Sequence, residues 1–129
     1  MIGFYYKAII ERSEDAFWAY IPELEGVTGV GDTVQAAKQS MLECIDIQLE
    51  LGNLRHQEFS ISYHFDVISL LNYFKGILTN AAFERLTGIN QMQMSHYANG
   101  LKKPRKAQLQ KIERALHRLG EELLGIRLA

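Results

Sequence analysis

The hydrophobic period of this chain changes once, near residue 65. That change restricts the fold to a sheet-forming segment followed by a helical one. Phe4, Tyr6, Ala8 and Ile10 alternate with Tyr5, Lys7, Ile9 and Glu11, the period of two expected of a strand with one buried face. Arg12-Ser13-Glu14-Asp15 reads as a turn. Residues 16–21, aromatic and apolar up to Pro22, then read as a second strand in a hairpin with the first. A third short strand is expected at about residues 27–30, between Gly26 and Gly31. Asp32 is placed as the N-cap of a helix, with Gln35 three residues on. Val34, Ala37, Met41, Leu42, Ile45 and Leu49 fall on one face of that helix, and Gly52-Asn53 ends it. Phe59, Ile61, Tyr63 and Phe65 then alternate with Ser60, Ser62 and His64, which predicts a fourth strand.

After Asp66 the period is helical. Asp66 is expected to cap a helix carrying Val67, Leu70, Leu71 and Phe74 and closed by Gly76. Thr79 caps a second that ends near Gly88. A third spans about residues 90–98 and stops at Gly100. A fourth follows Pro104, with Leu109, Ile112, Leu116, Leu119 and Leu123 on one side. The expected fold class is α+β: a small N-terminal β-β-β-α(-β) sheet domain over residues 1–65, then an all-α helix-turn-helix domain over residues 66–129.

Charge divides at the same place. The 129 residues carry a formal charge of −1, with 47% hydrophobic and 22% charged residues, a globular rather than a disordered composition. Residues 1–65 hold four bases against ten acids, a charge of −6; residues 66–129 hold ten bases against five acids, a charge of +5. Such asymmetry between halves points to a nucleic-acid-binding segment. The single cysteine, Cys44, excludes an internal disulfide framework and a cysteine-built zinc site. It is expected to be a buried, inert thiol. No secretory signal and no apolar run of about 20 residues is present, so a cytoplasmic protein without membrane association is expected.

The segment 80–100 carries the most specific constellation. Gly88 can take the positive φ that a tight turn between two short helices needs. Phe83, Leu86, Ile89, Met94 and Tyr97 are the apolar set that locks those helices together, which leaves Gln91, Met92, Gln93 and His96 on the remaining face. Amide side chains can read adenine through paired donor and acceptor contacts. Lys102, Lys103, Arg105 and Lys106 follow at once, placed for flanking phosphates. With Leu-Thr-Gly-Ile-Asn-Gln at 86–91, Asn-Gly at 99–100, Pro104 and the closing amphipathic helix, the spacing resembles the Cro/repressor (XRE-like) helix-turn-helix family over about residues 67–124. The resemblance implies a DNA-contacting set of Asn80, Asn90, Gln91, Met92, Gln93, Ser95, His96, Lys102, Lys103 and Arg105, with Gln91, Met92 and His96 toward bases. Glu84 departs from the family, which usually has a small alanine there. A buried carboxylate needs a partner; either the helices splay or Glu84 tips outward, toward Arg85 or Arg105.

In the first half, residues 17–26 (Phe-Trp-Ala-Tyr-Ile-Pro-Glu-Leu-Glu-Gly), then Thr28, then Gly31-Asp32-Thr33 with Ala36-Ala37, resemble the HicB antitoxin family. Glu23 and Glu25 stand where that family commonly has Asp and Pro, and Val27 where Cys is frequent. The resemblance implies a degenerate ribonuclease-H-like module joined to a DNA-binding domain. The chain would then be an antitoxin that sequesters a HicA-type mRNA-cleaving toxin and represses its own operon through operator double-stranded DNA. Trp18, Tyr20, Glu23 and Glu25 are the candidate toxin contacts; core or sheet-face packing is the competing role for Trp18 and Tyr20. A homodimer or higher oligomer is expected, since about 65 residues bury a marginal core. The strand 59–65 or the small sheet could pair across chains.

The alternative is a stand-alone helix-turn-helix regulator whose first domain binds a ligand or oligomerises. An enzyme is not expected. The acids of the first half form no cluster on a strand for two-metal hydrolysis, and His56, His64, His96 and His117 lack metal-ligand spacing. No catalytic residue, metal site or cofactor is assigned. Gly26, Gly29 and Gly31 do not follow the dinucleotide-binding order and are assigned to turns.

Overall fold

The structure, a computed structural model, describes residues 4–55 and 58–129; His56 lies outside them. The elements run β1 (Phe4–Arg12), β2 (Phe17–Tyr20), β3 (Thr28–Gly31), α1 (Val34–Glu50), β4 (Phe59–Phe65), α2 (Val67–Tyr73), α3 (Asn80–Thr87), α4 (Gln91–Ala98) and α5 (Lys106–Leu124). The fold is α+β. It forms two units, Met1–Leu70 and Leu71–Ala129. The division falls inside α2. The first residues of α2 are tied to the sheet: the Arg12 N–H donates to Ser69 Oγ at 3.0 Å and the Asp66 N–H to the Ile10 carbonyl at 2.7 Å.

In the first unit the strand order is β3-β2-β1-β4. β1 pairs antiparallel with β2, Ile9 opposite Tyr20 and Glu11 opposite Trp18. It pairs parallel with β4, Phe4 opposite Phe59 through Ile10 opposite Phe65. The alternation seen in the sequence becomes burial. Ala8, Ile10, Phe17 and Ala19 point to one face and meet Ala37, Met41 and Ile45 of α1 in a single core. Phe17 and Phe65 stack edge to face across it, centroids 6.2 Å apart.

Three expectations about α1 and its approach are corrected. The N-cap is Thr33, not Asp32: Thr33 Oγ1 accepts the Ala36 N–H at 3.0 Å. Both residues are good caps, so the sequence left the choice one residue wide. Gly26 does form a turn, with φ +81°, but Gly29 and Gly31 do not. They lie within β3 and face α1. A Cβ on Gly29 would fall on the Met41 backbone nitrogen and 2.5 Å from the Ala37 carbonyl oxygen; on Gly31 it would lie 2.6 Å from Ala36 Cβ. These glycines set how closely helix and strand approach. Cys44 is half-buried rather than buried, its Sγ donating to the Gly26 carbonyl at 3.2 Å.

In the second unit Phe83, Ile89, Met94, Tyr97, Ile112 and Ala115 are buried together with Leu71. Thr79 caps α3, accepting the Ala82 N–H at 3.0 Å. α2 ends at Tyr73, three residues before Gly76. The α5 face is narrower than its leucine pattern suggested. Ile112 and Ala115 are its buried residues, while Leu109 and Leu123 are exposed. Among the described residues, no helix is long and apolar enough to cross a membrane.

Candidate nucleic-acid interface

α3 and α4 are joined by Gly88, Ile89 and Asn90. Gly88 sits at φ 78°, ψ 0°, the left-handed conformation, and its N–H returns to the Glu84 carbonyl at 2.8 Å. Thr87 Oγ1 donates back to the Phe83 carbonyl and accepts the Ile89 N–H at 3.0 Å. Ile89 then turns inward beside Phe83. The turn is fixed by one glycine, one hydroxyl and one buried apolar side chain.

Glu84 resolves differently from either expectation. Among the described residues it forms no ion pair with Arg85 or Arg105. Its Oε2 accepts the Gln91 N–H at 2.9 Å, while Asn90 Oδ1 accepts the Met92 N–H at 2.7 Å. Two orphan donors of the α4 N-terminus are thereby satisfied, and a carboxylate stands at the positive end of the helix dipole. The sequence signal was present as an acid seven residues before a helix start, but it works only across a turn. Glu84→Ala is expected to lower the stability of this unit by about 1 kcal/mol, with Glu84→Gln keeping part of it, read by urea denaturation.

The predicted contact set is placed as follows. Gln91 is exposed and Met92 is 67% exposed, so these two present the outer face of α4. Gln93 and His96 do not share that exposure. Gln93 is half-buried and its Nε2 donates to Tyr97 Oη at 2.9 Å. His96 is half-buried with Nδ1 enclosed and unpaired among the described residues. Ser95 is half-buried and Asn80 begins α3, also half-buried. After α4, Gly100 takes φ 75° and the His96 carbonyl accepts the N–H of Leu101 at 2.9 Å and of Lys102 at 3.3 Å. These bonds and buried Pro104 hold the basic loop, leaving Lys102, Lys103 and Arg105 exposed. Gln93, Tyr97, Lys102, Lys103, Arg105 and Gln108 line a cleft of about 500 Å³. The structure thus joins one residue of the predicted face, Gln93, to the basic loop, and leaves Gln91 and Met92 projecting.

In the first unit Trp18 and Tyr20 are not core residues. They lie on the sheet face turned away from α1, with Tyr5, Lys7, Val30 and His64. Trp18 is 40% exposed, and its Nε1 donates to Ser13 Oγ at 3.0 Å. Tyr20 Oη donates to Glu11 Oε1 at 2.7 Å. Glu23 and Glu25 are exposed on the loop that follows. The Glu11 hydrogen bond, with burial and the charges of Glu11 and Asp66, pushes the Tyr20 phenol up from 10.0 to about 12. The folded state therefore holds this proton more tightly than the unfolded chain. The stabilisation is complete below pH 10 and is lost as pH rises through the folded value. In an ultraviolet titration, Tyr20→Phe is expected to remove a phenolate that ionises near pH 12.

No family model matches the chain, and no solved structure matches it. A UPF0150 protein of Synechocystis sp. is 46% identical over 44 residues, a stretch that is 33% of this chain and 61% of that relative. The chain therefore spans less than two thirds of the curated relative it matches.

Proposed function

We propose that the chain is a HicB-type antitoxin and autorepressor whose second unit, a helix-turn-helix of the Cro/repressor type, binds operator DNA. The carrying observation is the α3–α4 turn. It exposes Gln91 and Met92 at the start of α4 and sets Lys102, Lys103 and Arg105 beside the same helix. A helix N-terminus with an exposed amide suits base edges in the major groove, and a flanking basic loop suits phosphate. The first unit, rich in acids, holds a HicA-type toxin. An RNA-cutting partner is expected to be basic, and opposite charge speeds and orients such an encounter. Trp18 and Tyr20, on the sheet face turned away from α1 and near the loop of Glu23 and Glu25, are the contacts this reading favours. The chain acts by binding, not by catalysis, and needs no metal or cofactor.

The test is co-expression with the short reading frame adjacent to the gene, followed by pull-down through a tag on this chain. The neighbour is expected to co-purify and its toxicity to be suppressed. A toxic neighbour that neither binds nor is neutralised overturns the antitoxin reading.

A further inference from the structure

The outer edge of the sheet is built for a copy of itself. We infer that β4 pairs antiparallel with β4 of a second chain about a two-fold axis at Ser62, joining two sheets into one. β4 ends the strand order, so among the described residues one side of its backbone has no strand beside it. The hydrogen bonds fix which side. The Glu58 carbonyl accepts the Phe4 N–H and the Asp66 N–H donates to the Ile10 carbonyl. In a parallel pair, alternate residues direct both backbone groups to the neighbour. Ser60, Ser62 and His64, in phase with Glu58 and Asp66, therefore face β1. Phe59, Ile61, Tyr63 and Phe65 direct N–H and C=O outward.

A two-fold at Ser62 places Phe59 opposite Phe65 and Ile61 opposite Tyr63. These are the residues with outward groups, so each such pair is a hydrogen-bonded one and the edge is satisfied along its length. On the core side the register gives aromatic–aromatic and aromatic–aliphatic pairs of half-buried side chains, the combinations that stabilise neighbouring strands. On the other side it sets Ser60 against His64 and Ser62 against its own copy. Registers displaced by one residue would put outward groups opposite inward ones. Most edge strands carry a protecting feature such as a lysine, a proline or a short length. Residues 59–65 have neither lysine nor proline, and the strand is seven residues long. The other edge, β3, is four residues with two glycines. A second copy is the occupant because the strand's pattern reads the same from its centre in both directions.

The inference stands apart from the DNA reading and is tested on the full chain. By sedimentation, the wild type is expected to be a concentration-dependent dimer. Ser62→Lys, on an exposed position, sets two ammonium groups opposite each other at the axis and is expected to weaken the dimer at least about tenfold. In a Cys44→Ser background, Ser62→Cys is expected to form an intermolecular disulfide on mild oxidation, since a non-hydrogen-bonded antiparallel pair brings the Cα atoms within disulfide range. Lys7→Cys, exposed on the paired strand β1, is expected not to. A monomer at all concentrations, a dimer indifferent to Ser62→Lys, or equal cross-linking from Lys7→Cys overturns the inference. If Ser62→Lys fails to fold, the cysteine comparison decides alone.

Discussion

Gly29→Ala is expected to destabilise the first unit strongly while leaving the second intact. The added methyl falls on backbone atoms of α1, the Met41 nitrogen, the Ala37 carbonyl oxygen and, at 2.7 Å, the Met41 Cα. Backbone cannot rotate away as a side chain can. The helix must lift off the sheet, and Ala37, Met41 and Ile45 lose their packing on β2 and β3. Overpacking a tight site costs about 1–3 kcal/mol, more when backbone must move. A unit of this size is stable by roughly 4–10 kcal/mol. A loss of about 3 kcal/mol would lower its Tm by about 12–24 °C. Trp18, the single tryptophan, stands on β2 and reports this unit by fluorescence; far-ultraviolet dichroism follows the helices of both. The same substitution at Gly120 has the opposite sign. Gly120 lies inside α5, and a Cβ there meets nothing within 4 Å, so Gly120→Ala is expected to stabilise by about 1 kcal/mol. Equal, small effects at both positions would show that β3 and α1 are not in close approach.

Lys102→Ala with Lys103→Ala is expected to weaken DNA binding roughly 10- to 100-fold at physiological salt, on specific and unrelated sequences alike. Each lysine neutralises a phosphate and releases counterions. The slope of log K against log salt should therefore become shallower by about 2. Gln91→Ala should act on discrimination instead. Loss of one paired contact to a base edge removes about 1–3 kcal/mol of preference for the operator and leaves the salt slope unchanged. His96→Ala is less clean, because a half-buried ring with an enclosed Nδ1 also packs α4. A salt slope indifferent to the double lysine change would remove the basic loop from the interface.

Local features were legible in the sequence, and those that depend on distant partners were not. Asp66 and Thr79 cap the helices expected of them because a cap bond closes within three residues. The Gly88 turn was legible because only positive φ lets the chain reverse there. Trp18 and Tyr20 alternate with Phe17 and Ala19, so one pair had to face away from the core, but which face α1 covers is a tertiary fact. Gly29 and Gly31 looked like turn glycines because their requirement comes from α1, wrapped over them later in the chain. The parallel pairing of β4 with β1 joins segments more than fifty residues apart, and no local pattern records it. The partial burial of Gln93 was open to view in one respect: Tyr97 lies four residues on, where helix side chains meet. Glu84 needs a partner, and the local pattern offers arginine side chains, whereas the partner is a backbone N–H across the turn.

The most direct measurement is a fluorescence titration of the full chain against labelled duplex from upstream of its own gene, over a salt series, with an unrelated duplex of equal length beside it. The expected result is binding to the upstream duplex at least about 1,000-fold tighter at physiological salt, reduced by the double lysine change. Equal affinity for both duplexes, or none for either, would contradict the assignment of the second unit as an operator-binding domain.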